Sequence, residues 1–108
     1  MANDVFSKVK RFLEEVDDNN IIFKAHFYER SLERPISESL IRKKIKNTSK
    51  LLTVEKRPAR REGEKKYKIE IELSNKYSLI LIIVIAQKNL YIITAWNTNR
   101  KWQKSIQK

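Results

Sequence analysis

The chain predicts an α+β fold: two or three N-terminal helices packed on a four-stranded, mainly antiparallel sheet. Three observations carry this. Apolar residues recur at helical spacing as far as Ile45, and from Leu51 the period switches to two. The stretches between the later apolar segments are short and polar, which joins neighbouring antiparallel strands. With 108 residues there is room for one core and no second domain.

Val5, Phe6, Val9, Phe12, Leu13 and Val16 form one face of a first helix, with Asn3 or Asp4 as its cap and Asp17–Asn20 as its end. This segment is acidic on balance, so it should pack on the core and avoid a polyanion. Ile21-Ile22-Phe23 reads as a short extended piece leading into a second helix over Ala25–Glu33, which Pro35 ends because the residue before proline avoids helix. Ser37 caps a third helix, with Ile36 and Ile41 as its hydrophobic staple and Leu40, Ile41 and Ile45 as its buried face. Leu51–Lys56 is a first full strand, followed by the loop Arg57–Glu64, which holds the only glycine. Lys66–Leu73 alternates cleanly, with Tyr67, Ile69, Ile71 and Leu73 on one face. Ser74–Lys76 turns the chain into Ser78–Ala86, apolar on both faces as a central strand is. Gln87–Asn89 turns again into Leu90–Trp96, and Asn97–Lys108 is a basic tail.

Charge points to a partner class. Twenty-four basic against 13 acidic residues give +11, a field that attracts polyanions, of which nucleic acid is the commonest. Residues 40–68 hold twelve of these cations against Glu55, Glu62 and Glu64. Arg42, Lys43, Lys46, Arg57, Arg60 and Arg61 are its candidate phosphate contacts, joined by Arg34 upstream and by Arg100 and Trp102 in the tail. One-signed charge contributes nothing to folding, and arginine's planar fork suits phosphate. The plainer reading is a solvated helix face and a polar loop. Tyr67, Tyr91, Trp96 and Trp102 lie beside basic residues, as stacking on unpaired bases requires; Trp96 reads equally as core and Trp102 as a staple for the tail.

No cysteine is present, so disulfides and thiolate zinc sites are excluded, and one histidine with scattered carboxylates argues against any metal or other cofactor. The N-terminus lacks the apolar segment of a signal peptide. The longest apolar run, Leu79–Ala86, falls well short of the roughly 20 residues that span a bilayer as a helix. No helix combines an apolar face with a basic face and a tryptophan anchor, which speaks against a membrane partner. The expectation is a soluble, cytoplasmic protein; nothing in the chain sets its oligomeric state.

His26-x-x-x-Arg30-x-x-x-Arg34-x-Ile36-Ser37 places the only histidine and two arginines at intervals of four, which on a helix stacks them on one face. This pattern, followed by a helix and a run of antiparallel strands, resembles small domains of unknown function whose hallmark is H-x-x-x-R-x-x-x-R-x-I-S. These are grouped with the RelE-like toxin and colicin-type ribonuclease fold. The resemblance implies a RelE-like helices-then-sheet fold and a metal-independent endoribonuclease, often one half of a toxin–antitoxin pair with an acidic antitoxin-like partner. The chain departs from many relatives in its longer first helix and in ending on Trp96-Asn97, where such toxins often carry a different catalytic group. In a ribonuclease, His26 is the side chain whose ordinary pKa suits proton transfer near neutrality. Arg30 and Arg34 would clamp the phosphate, and Lys65 or Tyr67 would be the second proton-transfer group. The alternatives stay open: His26 beside Phe23 and Phe27 also fits a partly buried structural histidine, and the basic 40–68 region fits a non-catalytic nucleic-acid-binding or protein-interaction module.

Overall fold

The computed structural model describes the backbone of residues 2–24 and 37–99, and the side chains of 5–24 and 37–98. The helix expected over Ala25–Glu33, the Ile36 staple and the tail beyond Asn99 lie outside the described residues. Helix α1 (Ala2–Glu15) leads through a 3-10 turn (Asp18–Asn20) into strand β1 (Ile21–Phe23). Helix α2 (Glu38–Lys46) and a second 3-10 turn (Thr48–Lys50) precede β2 (Leu51–Arg57), β3 (Lys65–Glu72), β4 (Tyr77–Ala86) and β5 (Asn89–Asn99). The helices start and stop close to the expected places. Helix α1 begins at Ala2, ahead of the expected cap, while Ser37 caps α2 by accepting a hydrogen bond from the Leu40 amide at 3.1 Å.

The sheet corrects the expectation in two respects. It has five strands in the order β1-β5-β4-β3-β2, and it is mixed: β1 pairs parallel to β5, with Ile21 opposite Leu90 and Phe23 opposite Ile92. The β2–β5 meander is antiparallel as expected. A parallel pair has no hairpin turn to announce it, and three residues are too few to show a period, so Ile21-Ile22-Phe23 reads only as extended chain until β5 is beside it. Strand β5 also runs to Asn99 rather than ending at Trp96, because Asn97, Thr98 and Asn99 continue the ladder against Leu79, Ser78 and Tyr77.

One face of the sheet carries the core. Ile69 and Ile71 of β3, Leu79, Leu81 and Ile83 of β4, and Leu90 and Ile92 of β5 are almost fully buried against Val9 and Leu13 of α1 and Ile41 and Ile45 of α2. Each buried Leu or Ile stabilises by roughly 1.5–3 kcal/mol, which is what clamps both helices to this side. Polar ties then fix how α2 meets the end of α1. Arg42 donates to the carbonyls of Asp18 (2.9 Å) and Ile21 (3.2 Å), Lys46 donates to the Val16 carbonyl, and Thr48 donates to Glu14 at 2.6 Å. The C-terminal end of a helix exposes unpaired carbonyls and partial negative charge, so cations suit that place.

Strand β4 sits mid-sheet, and its second face is apolar too: Ile80 and Val84 are buried opposite the helical side. Two irregularities shape the sheet. At Leu52 the β2–β3 register skips a residue, and at Ile93 the β4–β5 register does so, with Ile82 opposite Thr94 and Ile83 opposite Ile92. A bulge leaves an extra residue on one strand and re-aims side chains. The second of these bulges helps to build the candidate site.

Candidate nucleic-acid interface

On the face away from the helices, a half-open cavity of about 600 Å³ lies where β3 begins, β4 ends and β5 begins. Its floor comes from alternation along the strands: Ile82 and Val84 of β4 beside Tyr91 and Thr94 of β5. The bulge adds Ile93, so two consecutive residues line the same cavity. Lys66 of β3 stands at one side. The β2–β3 loop adds Arg60, Arg61 and Glu64, and it turns at Gly63, whose φ of +83° favours glycine. Lys24, one residue past β1, closes the other side. The Lys24 amide donates to the Ile92 carbonyl at 3.0 Å, and its ammonium lies 4.7 Å from the centre of the Tyr91 ring.

Among the described residues, four cations and one carboxylate thus surround an apolar floor with an aromatic ring in it. Cations lining a concave, low-dielectric surface focus the field there and concentrate anions. Guanidiniums offer paired donors that match phosphate oxygens. Aromatic and aliphatic side chains between them offer a surface for a base.

The sequence-predicted residues divide into four groups. Arg60 and Arg61 line the cavity. Arg57 lies on the same face of the sheet, opposite Lys66 in register, and pairs with Glu55 at 3.5 Å. Lys43 is exposed on α2.

Arg42 and Lys46 donate to backbone carbonyls at and just beyond the end of α1, although Lys46 itself is exposed. Besides its two carbonyls, the Arg42 guanidinium lies 5.2 Å from the Phe23 ring centre, so it works as a clamp between α2 and β1.

Tyr67, expected to be available for proton transfer or stacking, belongs to the core on the helical face and is 7% exposed. Burial pushes its phenol above the usual 10.0, because the charged form is poorly solvated there. Lys65 shares that face by alternation and is exposed at the start of β3. The pair therefore sits on the opposite side of the sheet from the cationic cavity.

His26, Arg30, Arg34, Arg100 and Trp102 lie outside the described residues. Trp96 is half-buried on the cavity side of β5, opposite Ile80.

Lys24 was not among the sequence candidates. A single lysine after Ile-Ile-Phe carries no signal until β1 docks on β5 and sets it beside Tyr91. Among the described residues no group of three or more His, Cys, Asp or Glu side chains gathers as metal ligands would. No helix among them is long and apolar enough to cross a membrane. Comparisons with protein-family models, with curated proteins and with solved structures find no match for this chain.

Proposed function

We propose that this protein binds nucleic acid, with RNA favoured, in the cationic cavity on the open face of its sheet. One observation carries the reading: Lys24, Arg60, Arg61 and Lys66 surround a floor of Ile82, Val84, Ile93 and Tyr91, with Glu64 as the carboxylate among the described lining residues. Phosphate contacts supply the attraction, and the ring and aliphatic floor supply a place for bases. Affinity for a short single-stranded RNA, measured by fluorescence anisotropy across a salt series, tests this. Each phosphate contact removed lowers the slope of log K against log salt by about one. The double variant Arg60→Gln/Arg61→Gln should weaken binding and flatten that slope by between one and two. An unchanged slope places the phosphates elsewhere and overturns the reading.

A second reading adds catalysis. The His26-Arg30-Arg34-Ile36-Ser37 pattern supports a metal-independent endoribonuclease of RelE-like type, with His26 in proton transfer and Arg30 and Arg34 at the phosphate. An acidic antitoxin-like protein is the partner that reading implies. Incubation of the purified protein with mixed RNA in EDTA separates the two. Cleavage that disappears in His26→Ala while binding persists supports the enzyme. Intact RNA with the wild-type protein leaves the binding module.

A further inference from the structure

The Lys24 ammonium rests on Tyr91, the aromatic ring that lines the cavity among the described residues. An ammonium held on a ring at an exposed site is a weak partner, and a stacked base is a stronger one. Tyr91 is prepared for stacking: Asn89 Nδ2 donates to its hydroxyl at 3.4 Å, and its neighbours across the strands are Val84 and Ile22. Lys24 loses little by leaving, because a phosphate oxygen offers it a charge-assisted hydrogen bond instead.

Dimensions narrow the occupant. A cavity of about 600 Å³ lies in the range of small-ligand sites, far below what a duplex needs. Lys66 on β3 and Lys24 beyond β1 are three strand spacings apart in the order β3-β4-β5-β1 and two residues apart along the strands, or about 16 Å between backbones. Both lysines line the cavity and carry long side chains, so cations stand on either side of the apolar floor, as the two phosphates that flank one nucleotide require. A paired base hides both its faces within the stack and cannot reach Tyr91.

We propose that this end of the open face is a compartment for a single unpaired nucleotide, whose base takes the seat that Lys24 now holds on Tyr91 while Lys24 turns to a flanking phosphate. This rests on the nucleic-acid-binding reading and adds to it the footprint, the strandedness and the exchange.

Calorimetric titration of the full chain with adenosine 3′,5′-bisphosphate tests it, with pyrophosphate as the ligand that has charge and no base. The bisphosphate should bind about tenfold tighter than pyrophosphate. Tyr91→Phe should keep that preference, and Tyr91→Leu should lose about tenfold, as removal of one stacking partner does. Lys24→Met should flatten the salt slope by about one and yet bind uncharged adenosine more tightly than the wild type, because the ring face is no longer contested. Pyrophosphate binding as tightly as the bisphosphate, or adenosine binding no better in Lys24→Met, overturns the compartment. The Lys24 arm decides the matter even if Tyr91→Leu does not fold. Where single-stranded RNA still binds despite either failure, the nucleic-acid reading stands and only the compartment falls. Where no RNA binds at all, both fall.

Discussion

Replacing Arg42 with methionine separates a structural cation from a phosphate-binding one. The guanidinium donates to the Ile21 carbonyl in a partly buried position, donates to the Asp18 carbonyl at an exposed one, and lies over the Phe23 ring. A charge-assisted hydrogen bond contributes about 1.5–3 kcal/mol net. The Asp18 bond falls below that range because water replaces it readily. The ring contact adds about 0.5–1 kcal/mol at an exposed site. Methionine keeps much of the aliphatic stem's packing, so the expected loss is about 2–4 kcal/mol. For a domain of this size that lowers the melting temperature by about 10 °C. Arg42→Lys should recover less than half, since one ammonium cannot span two carbonyls as a planar fork does. Thermal denaturation followed by circular dichroism gives the stability, and the RNA salt series on the same variants gives the slope. A variant that melts within about 1 °C of the wild type while its salt slope falls by about one would refute the clamp. It would put Arg42 on the nucleic-acid surface, where composition alone suggests it belongs.

Tyr67→Phe should leave RNA binding, and any RNA cleavage, unchanged, because the phenol is buried on the face opposite the cavity. Its effect on pH dependence has a definite sign: the unfolded chain loses this proton at about 10.0 and the folded chain only above that. Stability linked to Tyr67 is therefore complete below pH 10 and is lost as pH rises until the folded phenol ionises too. Denaturation midpoints of the wild type and Tyr67→Phe should diverge only on that alkaline side. Gly63→Ala should cost about 1 kcal/mol from backbone strain alone, since φ is +83° and nothing lies within 4 Å of the added Cβ. Gly63→Asn, better tolerated at positive φ, should cost less in the same melt. Lys46→Met removes a donor from the Val16 carbonyl at the end of α1 and should lower stability by about 1 kcal/mol without altering the RNA salt slope.

The helices and the meander were legible because each is encoded locally. The spacing of Val9, Leu13 and Val16, the Ser37 cap and the alternation from Tyr67 to Ile71 each report a backbone period or a terminus. The doubly apolar Ser78–Ala86 segment likewise identified the strand that lies mid-sheet. The lining of the cavity was legible only in part. Arg60 and Arg61 could be named because a loop rich in arginine is already a signal in composition. Tyr67 and Tyr91 look alike in sequence, each on a strand beside a basic residue, yet the sheet buries one under the helices and leaves the other in the cavity.

By itself the sequence determined the charge, the two described helices, the β2–β5 meander and which strand faces are apolar, because these depend on side-chain chemistry and backbone period alone. Only the tertiary structure decided which cations hydrogen-bond within the fold and which line the cavity. Arg42 and Lys46 are bound to carbonyls that lie 21 to 30 residues away along the chain. Lys24 gains its place on Tyr91 through a parallel pairing that no turn announces. The physical reason is common to both cases: a charge is assigned by what lies within a few ångströms of it, and those neighbours are distant in sequence.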